Sequence, residues 1–174
     1  MRLSLDEVVL RRPEPKDVGR LYLYRNDLQV AKWLGGFSAG YCIRDLEEWI
    51  ESHRLRKDEI VWTIAEKKSD DCIGHVGLYQ IDYRVRRAEF AILIGDTASW
   101  GRGIGRRVSA AVVDYGFREL NLHRIELSVL SSNARAIKLY EGLGFRREGL
   151  LKDAQFREGS YMDIVLMALF RTEC

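Results

Sequence analysis

The chain has 174 residues, 47% of them hydrophobic, and a formal net charge of +2. That length suits one domain with a sizeable core, expected over residues 1–174, and so balanced a charge gives no basis for nucleic-acid binding. No apolar run reaches the roughly 20 residues that a membrane helix needs, so a cytoplasmic protein without a membrane or nucleic-acid partner is expected.

The first residues, MRLSLDEVVLRRPEP, lack the apolar centre of a signal peptide. Residues 3–12 predict a strand through Val8, Val9 and Leu10. Pro13 and Pro15 end it and favour a helix start. Val18, Leu21, Tyr22 and Leu28 then recur near helical spacing over residues 16–31. Arg25, Asn26 and Asp27 are expected on the exposed side of that helix or at its end. Glycines make residues 34–40 a loop. Residues 44–56 predict a second helix with Leu46, Trp49, Ile50 and His53 on one stripe. Its acids, Asp45, Glu47, Glu48 and Glu51, lie mostly off the stripe. They read as a solvated face, or as a rim that attracts a cationic acceptor.

Three strands follow, over residues 60–66, 72–83 and 88–95, with turns between them. Gly74 and Gly77 suggest a bulge or a close backbone contact. The third strand is apolar on both faces, as expected for a buried central position. Glu89 is its only charge. A helix over 106–120 and a strand over 123–130 complete a strand–helix–strand unit with a parallel pair. Asn133 is placed to cap the next helix, which ends near Leu143 with Gly144 behind it. Residues 145–151 and 161–170 are the last strands, joined by a polar hairpin connection over 152–160. The sum is a mixed α/β (α+β) domain with a sheet of about seven strands flanked by about four helices. Cys42, Cys72 and Cys174 show no metal spacing, so reduced thiols and no metal are expected.

The segment WGRGIGRR, residues 100–107, stands between the third strand and its helix. Glycines allow φ > 0 and close approach of a ligand to the main chain. The helix N-terminus adds unpaired N–H groups and a partial positive charge. Together they form an anion site, most often for phosphate. Arg102, Arg106 and Arg107 add formal charge. The dinucleotide fingerprint fails because Arg106 stands at its last glycine, and the nucleotide P-loop fails because no GxxxxGK run exists.

GRGIG resembles the acyl-CoA pyrophosphate loop of the GNAT N-acetyltransferases, Gln/Arg-x-x-Gly-x-Gly/Ala, with Gly103 and Gly105 at its two small positions. Trp100 stands where Gln or Arg is usual, as in the ribosomal-protein acetyltransferase subgroup. A second block, Asn133 followed by AIKLYEGLGF, is similar to the family's second CoA-contacting segment. The runs RRAEFAILIG and DYGFRELNLHRIEL resemble the polyamine acetyltransferase branch. The resemblance implies the GNAT fold and acetyl transfer from acetyl-CoA to a primary amine by direct attack on the thioester. The acceptor is either a polyamine-like small molecule or a protein N-terminus, with aminoglycoside or nucleotide-sugar amines left open. A non-catalytic acyl-CoA-binding or regulatory domain on the same fold is the alternative.

For individual residues, the resemblance implies that Ile92, Leu93 and Ile94 pair with the pantetheine arm, on a central strand splayed from its neighbour. Arg102, Gly103, Ile104, Gly105 and Arg106 would surround the pyrophosphate. Asn133 would contact the arm, cap its helix or do both. Tyr140, seven residues on and on the same helix side, would protonate the leaving thiolate. Glu89 is a candidate base, direct or through water, if burial raises its pKa; otherwise it is a strand-edge partner of Arg86, Arg87 or another arginine. His75 is an alternative base, while His53 and His123 have no motif around them. The apolar C-terminal hairpin is compatible with a homodimer.

Overall fold

The computed structural model describes residues 2–34 and 40–171. Among them, eight strands form one sheet in the order β1-β2-β3-β4-β5-β6-β8-β7. Strands β1 (Leu3–Leu5), β2 (Val8–Arg11), β3 (Ile60–Glu66), β4 (Cys72–Asp82) and β5 (Arg87–Ile94) make an antiparallel meander. Strand β6 (Arg124–Leu130) joins β5 in parallel, and β7 (Arg146–Arg157) and β8 (Ser160–Phe170) close the far edge as a hairpin. The helices are α1 (Val18–Asn26), α2 (Leu28–Ala31), α3 (Ile43–Leu55), α4 (Ile104–Arg118) and α5 (Ala134–Glu141).

The expected mixed architecture is present, with one strand and one helix more than the approximate numbers expected. The expected strand over 3–12 is a hairpin, because Asp6 takes a positive φ of 29° and turns the chain between Leu5 and Val8. The expected helix over 16–31 is broken. A short 3-10 turn, Pro15–Asp17, precedes α1, and Asp27 then leaves helical geometry. Its carboxylate accepts the Gln29 N–H and caps α2. The expected connection over 152–160 is mostly strand: β7 continues to Arg157, with a register shift between Leu151 and Gln155, and the turn is Glu158–Gly159. The 34–40 loop lies largely, and Cys174 wholly, outside the described residues. Cys42 and Cys72 are free thiols.

Two apolar clusters flank the sheet. Val76, Leu78, Phe90 and Ile125 pack with Val108 and Val112 of α4 and Ile137 of α5. Burying side chains of this size stabilises by about 1.5–3 kcal/mol each. On the other face, Val18, Leu21 and Tyr24 of α1 pack with Leu46 and Ile50 of α3 and with Cys72. Strand alternation then turns His75, Gly77 and Tyr79 away from the larger cluster, toward the face that α1 and α3 cover. A Cβ on Gly77 would lie 2.7 Å from the Tyr79 ring, so glycine is what lets that ring lie back over the strand.

A buried ion pair anchors the start of α1. Arg11 donates to both Asp17 oxygens at 2.8 and 2.7 Å. Asp17 also accepts from Thr63 Oγ1 at 2.8 Å and from the Glu14 N–H at 2.9 Å. Arg11 reaches Asp70 as well, at 3.1 Å.

Candidate functional site

The glycine segment folds as an anion cradle. Gly101 and Gly103 have φ of 81° and 75°, and α4 begins at Ile104. Gly103 is the N-cap in a left-handed conformation that a side chain would strain. A Cβ on Gly105 would lie 3.4 Å from both Ile94 Cδ1 and Leu139 Cδ1, so the loop is wedged between β5 and α5. The motif's departure has a structural use: Trp100 Nε1 donates to the Ile94 carbonyl at 2.8 Å and ties the loop to the end of β5. Arg106 Nη2 donates to the Gly142 carbonyl at 3.4 Å. Arg102 and Arg107 both pair with Glu7, on the β1–β2 turn, whose carboxyl they hold below the usual range. This corrects the expectation that all three arginines add charge to the cradle. Its field rests on the helix N-terminus and Arg106, while Arg107 also holds the Arg102 carbonyl at 3.2 Å.

Strand β5 is splayed. It pairs with β6 only over Arg87, Ala88 and Glu89, against Arg124, Ile125 and Glu126. From Phe90 to Ile94 its second edge has no ladder partner among the described residues. Backbone groups on such an edge are available to an extended ligand. The expectation of burial on both faces is corrected accordingly: Ala91 is exposed, and Ile92 and Ile94 are partly so. Tyr140 stands beside this opening, its ring 6.2 Å edge-on from Phe90 and 5.9 Å from Phe145. Its hydroxyl makes no hydrogen bond among the described residues. Burial pushes its pKa up to about 12, so it holds its proton at neutral pH. Asn133 Oδ1 accepts the Ala136 N–H at 3.1 Å, so the capping role is present. Gly144, at φ 96°, ends this helical region, as expected.

On the other side of β5 lies a cleft of about 420 Å³ walled by Arg25, Trp49, His53, Glu59, His75, Tyr79, Glu89 and Ile92 among others. Glu89 is half-buried and opposite Tyr79 in the register. Burial raises its pKa, and the nearby Glu126 adds to the rise. Gln80 Nε2 donates to it at 3.2 Å. The left-handed Gln80 (φ 49°), at a bulge between Tyr79 and Asp82, belongs to the same corner. The strand-edge alternative for Glu89 is not what forms: Arg87 pairs with Glu126, and Arg86 bonds to Asn121.

Three cleft residues gain their roles from contacts across the fold. Arg25 is at the helix end, in the last turn of α1, and not on its exposed side. Its guanidinium lies 5.5 and 5.6 Å from the Tyr41 and Trp49 ring centres and 3.1 Å from His75 Nε2. His53, without a motif in sequence, contacts the Glu59 carboxylate through Nδ1. His75 is a poor base: burial, then Arg25, lowers its pKa well below the ordinary value. The neutral ring accepts from Arg25 at Nε2, which assigns its proton to Nδ1. The acids of α3 do not form the rim. Glu48 and Glu51 pair with Arg44 and Arg54, and Asp45 caps the helix at Cys42. It is the Trp49–His53 stripe that faces the cleft. Alternation in β4 was a signal for His75 and Tyr79, but nothing local placed Arg25 or Glu59 there.

A family model described as "Acetyltransferase (GNAT) domain" matches residues 7–146. An uncharacterized N-acetyltransferase, p20 of Bacillus licheniformis, is 32% identical over 98% of this chain and 97% of its own length. The spermidine N(1)-acetyltransferase of Vibrio cholerae is 37% identical over 96% of this chain and 95% of its own. A crystal structure of the Vibrio cholerae spermidine N-acetyltransferase with CoA and spermine superposes with a TM-score of 0.85 at 30% identity, covering 95% of this chain and 96% of that one. With the glycine cradle, the splayed β5 and the Asn133–Tyr140 helix in one place, the conclusion is that this chain belongs to the GNAT family, as an N-acetyltransferase with acetyl-CoA as its co-substrate.

Proposed function

We propose that the acceptor is a primary amine held in the cleft between α1, α3, β4 and β5, and that β5 is the wall it shares with the acyl donor. Acetyl-CoA supplies an acyl group activated as a thioester. The N–H groups around Gly103, Ile104 and Gly105, with Arg106, hold its phosphates. Arg102 approaches them only by leaving Glu7. The open edge at Ile92, Leu93 and Ile94 offers main-chain partners to the pantetheine arm, the Ile94 carbonyl being shared with Trp100. Glu89 takes a proton from the incoming ammonium, directly or through water, and Tyr140 gives one to the departing sulfur. Asn133 orients the start of that helix.

The observation that carries this reading is the loss of β5–β6 pairing after Glu89, which opens a strand edge between the glycine cradle and Tyr140. Spermidine, the acceptor in the name of the Vibrio cholerae relative, is the first amine to test. Glu89 supplies a carboxylate for an amine in the same cleft. Release of CoA thiol from acetyl-CoA in the presence of an amine panel tests the proposal. Turnover supports it, and tight acetyl-CoA binding without turnover of any amine favours the binding-domain alternative. We place the chain in the cytoplasm, as one domain over 1–174. Leu150, Leu151, Phe156 and Tyr161, exposed on the β7–β8 hairpin, suit a homodimer, which sedimentation at micromolar concentration checks.

A further inference from the structure

Resting on that acceptor site, we infer that the amine this enzyme prefers also carries an anionic oxygen group, a carboxylate or a phosphate, bound by Arg25. The cleft's charges are unequally matched. Glu59 is in contact with His53 and lies 3.5 Å from Arg56. Arg25 has no carboxylate partner among the described residues. It is held instead by two aromatic faces and the acceptor nitrogen of a neutral histidine. A guanidinium so fixed keeps donors for a planar oxyanion without the entropy cost of ordering a mobile side chain.

The unsatisfied atoms point the same way. Buried donors without a partner are rare, and each calls for an explanation. Among the described residues, Arg25 Nε, His75 Nδ1 and His53 Nε2 are buried and unpaired, and all three residues line this cleft. His75 is 6% exposed, and its proton is on Nδ1 for the reason given above. Arg25 Nε and His75 Nδ1 are donors in need of an acceptor, which an oxyanion provides and an alkylammonium does not. A purely cationic chain would lie against Glu89 at one end and meet the like charge of Arg25 at the other.

The register sets the scale. His75 is opposite Leu93 and Tyr79 is opposite Glu89. Four residues of β4 span roughly 13 Å, so the amine and the oxyanion stand several bonds apart. That spacing fits an amino-sugar phosphate or an ω-amino acid and not an α-amino acid.

Three amines of one chain length isolate the end group: 6-aminohexanoate, hexylamine and 1,6-diaminohexane, whose far ends are anionic, neutral and cationic. With saturating acetyl-CoA, kcat/KM should fall in that order, at least about tenfold from first to last. Arg25→Gln should collapse the 6-aminohexanoate value to that of hexylamine. A preference for the diamine, or an equal loss on all three in the variant, overturns the inference. Calorimetric binding of the same compounds to the CoA complex reads the subsite without turnover. There, 6-aminohexanoate bound better than the diamine by wild type but not by Arg25→Gln supports it, and equal affinity for the two overturns it. If none of the three is acetylated while this binding difference holds, the catalytic reading fails and the subsite stands.

Discussion

Arg11, on β2 and paired through Asp17 to the start of α1, and Arg25, in the last turn of α1, have opposite surroundings. Arg11 is 4% exposed, forks onto Asp17 and reaches Asp70, and Asp17 is saturated by Thr63 and the Glu14 N–H. Arg25 touches rings and a histidine, and its Nε is unpaired. The first cluster is complete within the chain and fastens α1 to β2 and β3. The second is complete only with something added. Polar groups that a protein has satisfied maintain its structure, and those it leaves buried and unsatisfied mark where a ligand contributes.

Breaking the complete cluster has the largest expected effect. Asp17→Ala leaves Arg11 buried without its partner and should cost about 3–5 kcal/mol in denaturant unfolding. Replacing Arg11 and Asp17 together by apolar residues of similar volume should recover most of that loss. Arg25→Gln, by contrast, should cost about 1–2 kcal/mol, because it gives up two ring contacts and a bond to a neutral histidine but leaves no buried charge unpaired. A loss at Arg25 as large as at Asp17 would erase the distinction between the two.

Next in size is the chemistry. Tyr140→Phe should lower kcat about 100-fold with the acetyl-CoA KM little changed, and stability should hold because the hydroxyl has no protein partner. Since burial keeps that hydroxyl protonated up to about pH 12, no alkaline loss of activity below pH 10 or so should trace to it. An unchanged kcat in the variant would remove Tyr140 from the mechanism.

Glu89 gives a smaller effect with a defined sign. A base must be ionised, so kcat/KM should rise with pH through the raised Glu89 pKa, and Glu89→Gln should flatten that limb and lower the plateau about tenfold. Because folding raises this pKa, the carboxylate costs stability as pH climbs through it and costs nothing below the unfolded value. Thermal melts should therefore show Glu89→Gln more stable than wild type at neutral pH and level with it in acid. A wild-type acid limb that persists in the variant would assign the base elsewhere.

Trp100→Phe is the mildest change. It removes the bond to the Ile94 carbonyl, worth about 0.5–1.5 kcal/mol. The acetyl-CoA KM should rise a few-fold while the acceptor KM stays put.

The donor half of the site was legible in sequence, because its signals are local. The glycine spacing at residues 101, 103 and 105, the cap at Asn133 and the apolar run before them each lie in one short stretch. The splay of β5 was implied only by the resemblance, since which residues pair across a parallel ladder is not written in either strand. The acceptor half was hidden. Arg25, Trp49, His53, Glu59 and His75 come from two helices, a loop and a strand, and each has an unremarkable reading alone. Arg25 sits among polar neighbours that read as surface. His53 sits on an apolar stripe and gains meaning only from Glu59, six residues away across the end of α3. The hairpin at Asp6 and the break at Asp27 were missed for another reason: single residues leave regular geometry inside otherwise continuous patterns.

The central claim is that donor and acceptor are held by different halves of the molecule. The most direct measurement is a two-substrate kinetic analysis of Gly103→Val beside Arg25→Gln, with acetyl-CoA and 6-aminohexanoate varied in turn. The account predicts that the first variant raises the acetyl-CoA KM at least about tenfold and leaves the acceptor KM near wild type, and that the second does the reverse. Both variants acting on the same KM, or Arg25→Gln acting on acetyl-CoA alone, would contradict it.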